Sequence, residues 1–498
     1  MHSIEHSSSP RPPSPHDRAA HHAPTADPPP RRWWALALVC VAQFMLVLDV
    51  TVVNVALPDM AADLRLDRET LTWTVTAYTL CFGGLMLLGG RLADVYGARR
   101  VLLAGLALFT AASLAAGLAG DATTLLAGRV AQGMGAALLS PAALALVTTT
   151  FHGPERNKAL GVWAALGGTG AAAGVLVGGA LTAGPGWPWI FWVNVPVGAA
   201  LLAAVPAVVR APHPPARTPR PPAPPHAPTR LDIPGALLVT AATGALIYGL
   251  VRAGDSGWTG TGTLLPLTAA VALYAAFTVV ERSVRAPLMD VRMLTRRPVV
   301  AGAFLMLVAT ALLIAFFFLG SVYLQHVRGY SALRTGLVFL PVAVATGTGA
   351  HLGARLVGRA GSRTVAVAGM AVAALGCVPL AGLDGAPGVF TTFAPALSVA
   401  ALGLGAVFVT ATTTALALVG HEEAGLASGV VNTFHEVGGS VGVAVVSTVA
   451  AAGIERGAVT AFGDAFALCA AVAAVSALVC LALVPAVRPE RPAVPHAH

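Results

Sequence analysis

Three charged side chains lie inside long apolar segments of the sequence: Asp49, Arg129 and Glu436. A charge at the centre of a bilayer-spanning helix costs about 3 kcal/mol or more unless it is paired or hydrated, so such residues usually serve a function. A carboxylate beside an arginine stays charged, whereas one released into apolar surroundings takes up a proton. We therefore expect Asp49 and Arg129 to couple proton binding to a change of conformation. The alternative is a static ion pair that holds two helices together.

The expected depths of these residues support the pairing. Asp49 stands nine residues before Pro58, the end of the first apolar segment, which corresponds to about 13 Å of helix. Arg129 lies about 9 Å inside the segment 124–150 by the same rise, and the two segments run in opposite directions. Glu436 lies about 12 Å inside its own segment. We expect it to be a second proton site or a counter-charge for cationic substrates.

The rest of the sequence is typical of an integral membrane protein. Of its 498 residues, 56% are hydrophobic and 10% charged, against about 25% charged residues in soluble domains. This composition excludes a soluble enzyme, a disordered protein and a disulfide-stabilised scaffold. The five cysteines all lie in apolar stretches without CxxC spacing. Apolar segments of spanning length recur fourteen times, which predicts an all-α protein with 14 transmembrane helices.

Basic residues predict how these helices are oriented. With both termini inside the cell, six inner loops hold 17 of the 30 Lys and Arg residues and the two tails hold six, whereas seven outer loops hold only six. Because cytoplasmic loops carry an excess of Lys and Arg, we expect a multi-pass protein of the cell membrane with both termini cytoplasmic. Lys158 is the only lysine, a usage typical of GC-rich bacterial genomes, which indicates a bacterial inner or plasma membrane.

An internal repeat divides the chain. Residues 91–99 (RLADVYGAR) align without a gap with residues 355–363 (RLVGRAGSR). The repeat predicts two six-helix bundles with two extra helices between them, and duplicated helical halves are typical of secondary transporters. The expected parts are a disordered cytoplasmic tail (1–32), an N-terminal six-helix bundle (33–209), a Pro/Arg-rich cytoplasmic linker (210–232), two extra helices (233–281), a cytoplasmic loop (282–297), a C-terminal six-helix bundle (298–486) and a cytoplasmic tail (487–498).

The first copy of the repeat is the most specific pattern in the sequence. Its glycines permit a tight turn between two helices. Its one acid, set among arginines, can form ion pairs in one conformation that break in another. We expect a conformational latch made of Gly90, Arg91, Asp94, Gly97, Arg99 and Arg100. A plain basic loop on the inner side is the alternative.

This pattern resembles the signature that follows the second helix in the major facilitator superfamily. Further segments resemble motifs of its fourteen-helix drug:proton antiporters: 48–58 (LDVTVVNVALP), 129–137 (RVAQGMGAA), 187–198 (WPWIFWVNVPVG) and parts of 323–341. The resemblance covers about residues 33–485. It implies a major facilitator fold and proton-driven export of amphipathic drugs or antibiotics, without a cofactor.

The fifth predicted helix departs from the pattern of that family. Val175 stands where the family's antiporter motif usually has proline. Glycines nevertheless recur at every fourth position of this helix, a spacing that allows two helices to approach closely. We expect this helix-packing seam, made of Gly170, Gly174 and Gly178, to pack the two halves together.

The thirteenth predicted helix also differs, because His435 and Glu436 stand where relatives often carry Arg-Gln. A packed, neutral side chain is the alternative to a functional role for His435. For Phe317, a lipid-facing position is the alternative. The residues that we consider for a substrate cavity are Asn54, Gln132, Asn432, His435 and Phe317.

The sequence leaves more than one function open. We favour a proton-coupled efflux transporter that exports amphipathic drugs or antibiotics by alternating access, with export of an endogenous metabolite or lipid as the alternative. An integral-membrane enzyme is disfavoured because the helices contain no HExxH motif and no His/Asp cluster, and the two-fold repeat disfavours a channel. The expected partners are a small amphipathic substrate, protons and the lipid bilayer. We expect a monomer with no metal, no cofactor and no nucleic acid.

Overall fold

Helices account for nearly all of the described chain. The computed structural model describes residues 29–209, 232–284, 287, 289, 291–381, 388–417, 423–454 and 460–486. The predicted tails and the predicted linker therefore lie almost entirely outside the described residues. The largest apolar core contains residues of both halves of the chain.

Fifteen α-helices occur within the described residues. They are α1 (Pro29–Leu64), α2 (Arg68–Tyr96), α3 (Ala98–Gly117), α4 (Ala122–Thr150), α5 (Gly153–Ala183), α6 (Trp189–Trp192), α7 (Asn194–Val208), α8 (Ile233–Ser256), α9 (Thr261–Ser283), α10 (Arg297–Val322), α11 (Ala332–Ala360), α12 (Ser362–Ala381), α13 (Ala394–Ala415), α14 (Ala424–Ile454) and α15 (Thr460–Leu483). A 3₁₀ turn (Val291–Thr295) precedes α10, and π-helical turns lie at Tyr323–Val327 and Val389–Phe393. The sixth predicted helix is divided into α6 and α7, so predicted helices 7 to 14 are α8 to α15.

Twelve spans among the described residues are long and apolar enough to cross a membrane. This finding confirms a multi-pass, all-helical membrane protein. Helices α5 and α14 are 31 residues long but are not among the twelve. The count of fourteen transmembrane helices therefore stays a prediction.

The turns between helices define the two ends of the bundle. Asp121 begins α4 at one end, where its side chain accepts a hydrogen bond of 2.9 Å from the Thr124 N–H, and the backbone and hydroxyl of Thr124 hold the pKa of Asp121 below its usual range. At the other end, Gly97 joins α2 to α3 and Gly361 joins α11 to α12, with φ of 90° and 82°. Only glycine adopts such angles without strain. We call the end that holds Gly97 and Gly361 the latch end.

The two copies of the repeat make equivalent contacts at the latch end. In each half, two arginine side chains donate hydrogen bonds to the carbonyl oxygens at the C-terminal end of the last helix, where the helix carries a partial negative charge. The pairs are Arg31 with Val208 (3.1 Å) and Arg99 with Pro206 (3.1 Å) on α7, and Arg297 with Leu483 (3.1 Å) and Arg363 with Val484 (2.8 Å) at α15. The sequence repeat at 91–99 and 355–363 is therefore also a structural repeat.

The first extra helix, α8, packs across the seam where α2 meets α14. On the α2 side, the rings of Trp73 and Tyr248 stack with centroids 5.8 Å apart. On the α14 side, Leu250 and Val437 belong to one apolar cluster. Helix α9 packs on α8. Helix α8 therefore contacts both halves of the chain.

Candidate functional site

The structure brings together the two charges that the sequence places at similar depth. Asp49 on α1 is 0% exposed and Arg129 on α4 is 1% exposed. The Arg129 Nη1 atom donates a hydrogen bond of 2.7 Å to Asp49 Oδ2. The two residues form a buried ion pair inside the first half.

Two amide side chains complete the surroundings of the Asp49 carboxylate. Its Oδ1 atom accepts hydrogen bonds from Asn194 Nδ2 on α7 at 2.9 Å and from Gln132 Nε2 on α4 at 3.2 Å. The same Gln132 amide donates to Ser113 Oγ on α3 at 2.8 Å, and its Oε1 atom accepts from Arg129 Nη1 at 2.9 Å. Three donors on one carboxylate compensate the cost of burying its charge.

The Arg129 guanidinium is also held by α2 and α6. Its Nε atom donates to the Thr74 carbonyl oxygen at 3.0 Å. Its Cζ atom lies 4.2 Å from the centre of the Tyr78 ring and 6.0 Å from that of Phe191. Cation–π contacts of this kind contribute about 2 kcal/mol when they are desolvated. Arg129 is therefore fixed against Asp49 from several helices at once.

Sequence reasoning missed four residues of this network: Thr74, Tyr78, Ser113 and Asn194. Asn194 lies within the segment 187–198, which the sequence analysis singled out for its resemblance without giving that side chain a role. A polar amide within an apolar span was the available signal, because buried polar groups need partners. Gln132, considered there for a substrate cavity, is 0% exposed and lies in this network.

Asp94 joins the two halves at the latch end. Its carboxylate oxygens accept hydrogen bonds of 2.7 Å from the backbone N–H groups of Gly425 and Leu426, in the first turn of α14. The first N–H groups of a helix have no partner within the helix and carry a partial positive charge. The expected partners were arginines, but among the described residues Asp94 forms no ion pair within 4 Å. The helix terminus provides the positive end of the contact instead.

Of the other predicted latch residues, Gly90 and Arg91 lie beside this contact. Gly90 lies against Gly425, since a Cβ atom at Gly90 would approach the Gly425 carbonyl oxygen too closely. Arg91 is buried beside Asp94, and Arg100 is exposed. Arg99 is directed to the end of α7, within its own half.

Other contacts between the halves lie towards the latch end. The Arg156 Nη2 atom at the start of α5 donates to the Leu416 carbonyl oxygen at 3.1 Å. One turn further along α5, a Cβ atom at Gly161 would lie 2.8 Å from Ala354 Cβ on α11. Asn432 on α14, a predicted cavity residue, donates to Ser140 Oγ on α4 at 3.2 Å. These contacts hold the halves together on the side of Asp94.

The glycine seam on α5 has a different partner from the one expected. Cβ atoms at Gly170 and Gly174 would lie 2.7 Å and 2.6 Å from side-chain atoms of Val47 and Thr51, and one at Gly178 would lie 3.1 Å from Val52 Cα. All three partners belong to α1 of the same half. The expectation that this seam packs the two halves together is corrected, because α5 meets α11 through another face.

The predicted residues of the second half do not form one cluster. Glu436 faces α2, where a Cβ atom at Gly83 would lie 3.3 Å from Glu436 Cβ. It lies about 18 Å from the start of α14, deeper than expected, because α14 begins at Ala424. His435 turns the other way, with Nδ1 2.9 Å from Thr310 Oγ1 on α10.

Two further predicted cavity residues remain. Phe317 packs on Phe339 of α11, with ring centroids 4.7 Å apart. Asn54 is in α1, and its side chain lies outside the described part of the structure. A role in substrate binding stays a prediction for both residues.

Two repeated helical halves, joined at one end, with a buried carboxylate–arginine pair in the first half, are the architecture of a membrane transporter. The chain belongs to the Major Facilitator Superfamily, because the sequence profile of that family matches residues 39–443. It is 41% identical over 427 residues to the puromycin resistance protein of Streptomyces alboniger, and the alignment covers 85% of this chain and 82% of that protein. It is 38% identical over 445 residues to the cephamycin export protein of Amycolatopsis lactamdurans, covering 87% and 88%.

The fold is also that of a solved transporter. The human organic anion transporter MFSD10 (TETRAN) superposes with a TM-score of 0.63 at 14% identity, covering 91% of this chain and 100% of that one. These likenesses confirm the predicted superfamily and the class of efflux transporter, and they confirm that the chain is not an enzyme.

Proposed function

We propose that the chain exports amphipathic drugs or antibiotics in exchange for protons, as a monomer in the cell membrane. The buried Asp49–Arg129 pair with its amide shell is the observation that carries this proposal. Among the described residues Arg129 is the side chain that forms an ion pair with this carboxylate, so a conformation that separates the two leaves a carboxylate that can take up a proton. The names of the puromycin and cephamycin relatives support the substrate class.

The proton binds at Asp49 Oδ2, the atom that accepts from Arg129 at 2.7 Å. As long as Arg129 remains in place, the carboxylate keeps its charge. When a movement of α1 against α4 separates the pair, the carboxylate is left in apolar surroundings without a counter-charge and takes up a proton. Protonation therefore favours the conformation in which the pair is separated, and release of the proton favours the paired one.

The latch end faces the cytoplasm in this proposal, with both chain termini on the same side. The predicted inner loops hold 17 of the 30 basic residues, which supports this orientation. The described conformation, with Asp94 on the first turn of α14, is then the one closed towards the cytoplasm. A proton from outside releases the pair, the halves separate at the latch end, and the substrate replaces the proton on the cytoplasmic side.

Everted membrane vesicles test this function. Their lumen is acidified, and the uptake of puromycin, a cephamycin and a set of cationic dyes is measured with and without an uncoupler. We expect uptake of at least one compound that collapses with the uncoupler and is lost in Asp49→Asn. Uptake that persists with the uncoupler contradicts proton coupling. If no compound in the panel is taken up by vesicles with an acidified lumen, the proposed substrate class is contradicted and an endogenous substrate is favoured.

A further inference from the structure

Tyr78 has a buried hydroxyl that the Asp49 network does not use. The residue is on α2 and is 1% exposed. Within the described structure its hydroxyl oxygen has no hydrogen-bond partner. Burying a hydroxyl in this way costs about 1–3 kcal/mol, so a tyrosine at this position requires an explanation that a phenylalanine would not.

The ring of Tyr78 packs against the charged pair of the first half. Its face contacts the Arg129 guanidinium at 4.2 Å, and it also packs at a tilt on Phe82, with ring centroids 5.5 Å apart. The charges that act on the phenol are those of Asp49 on α1, Arg129 on α4 and Glu436 on α14. From α8, the side chain of Tyr248 stacks on Trp73 of the same helix as Tyr78.

We propose that Tyr78 is a positioning residue of the proton-coupling pair, whose ring fixes Arg129 against Asp49 and whose free hydroxyl receives Arg129 when Asp49 binds a proton. This inference rests on the proposed proton coupling. In the exchange, Asp49 Oδ2 gains a proton and loses the N–H of Arg129, and that N–H then donates to the phenol oxygen of Tyr78. The guanidinium already covers the ring that carries this oxygen, 4.2 Å from its centre.

The hydroxyl therefore stabilises the proton-loaded state and not the paired one. This asymmetry explains why the hydroxyl is unsatisfied in the described conformation, where Arg129 is occupied by Asp49. A buried guanidinium that lost Asp49 without gaining an acceptor would oppose protonation. Tyr78 removes that obstacle without adding a second charge.

The substitution Tyr78→Phe tests the hydroxyl alone, because the ring and its contact with Arg129 remain. Tyr323→Phe is the matched control. Tyr323 is the other described tyrosine that is fully buried with an unpartnered hydroxyl, but it stacks on Phe393 in an aromatic cluster of the second half. Substrate-induced proton release from the purified protein is measured as a function of pH for wild type and both variants, together with thermal unfolding.

For Tyr78→Phe we expect the midpoint of proton release to move to lower pH by about one unit, which is a tenfold weaker affinity for the proton. Thermal stability should be unchanged or higher, since a partnerless polar group is removed. For Tyr323→Phe the same stability result is expected with no movement of the midpoint. A midpoint in Tyr78→Phe equal to that of wild type overturns the inference, and so does a loss of stability, because a free hydroxyl cannot stabilise the described state.

The two proposals fail in distinguishable ways. Wild-type protein that releases no protons on binding substrate contradicts the proposed function itself. Wild-type protein that releases protons, with a Tyr78→Phe profile that superimposes on it, leaves the function intact and removes the role of Tyr78.

Discussion

Replacing Asp49 by asparagine should separate substrate binding from proton coupling. The amide has the shape of the carboxyl group, so it can still accept from Asn194 and Gln132, but it has neither the charge nor a titrating proton. We expect Asp49→Asn to lose export driven by a pH gradient and to retain substrate binding. Asp49→Glu retains the titrating group about one bond further out and should keep part of the activity.

The distance between the two charges gives the free energy that is lost when Asp49 is replaced. At 2.7 Å between Nη1 and Oδ2, the attraction of the two charges is about 6 kcal/mol at an effective dielectric constant of about 20. Desolvation opposes most of it, and breaking a buried pair by removing one partner costs about 3–5 kcal/mol, because the other charge is left unpaired. Since about 1.4 kcal/mol corresponds to a factor of ten, the paired conformation should lose at least about a hundredfold in relative population.

A double-mutant cycle checks this reasoning. Asp49→Asn and Arg129→Gln should each lower the temperature of thermal unfolding in detergent. The decrease for the double variant should be smaller than the sum of the two single decreases, because no unpaired charge remains. All three should release no protons when substrate binds. If Asp49→Asn releases as many protons as wild type, Asp49 is not the coupling site and Glu436 becomes the better candidate. Strictly additive losses of stability would refute the ion pair as the source of the effect.

Three further predictions concern other parts of the structure. Asp94→Asn removes the charge from two hydrogen bonds to α14, so we expect initial transport rates about tenfold lower with unchanged substrate affinity; unchanged rates in a well-expressed variant would contradict a latch. Gly174→Leu should prevent folding, judged by size-exclusion chromatography, because a Cβ atom there would lie 2.6 Å from Thr51 Cβ, whereas Gly179→Leu should be tolerated because nothing lies within 4 Å. Asn194→Ala leaves Asp49 with one donor fewer, and we expect the free energy of unfolding to fall by about 1–3 kcal/mol; an unchanged melting temperature would contradict a stabilising role for this hydrogen bond.

The class of protein and the buried Asp49–Arg129 pair could be read from the sequence. Hydropathy and helix rise are local properties, so they give the apolar spans and the depth of a residue within its own helix. Asp49 and Arg129 stood out because charge is costly in such spans, and their similar depth predicted their contact. The repeat at 91–99 and 355–363 was equally visible, because a duplicated turn keeps its glycine and its arginines.

Only the tertiary structure decided which faces of the helices meet. The seam of Gly170, Gly174 and Gly178 packs on α1 rather than on the second half, because the rotation of a helix about its own axis is fixed by all its neighbours together. The partner of Asp94 is a pair of backbone N–H groups more than three hundred residues away in the chain, and such donors have no side-chain signature in a sequence. The same reason hid Tyr78, since an unsatisfied hydroxyl is a property of what surrounds a residue and not of the residue itself.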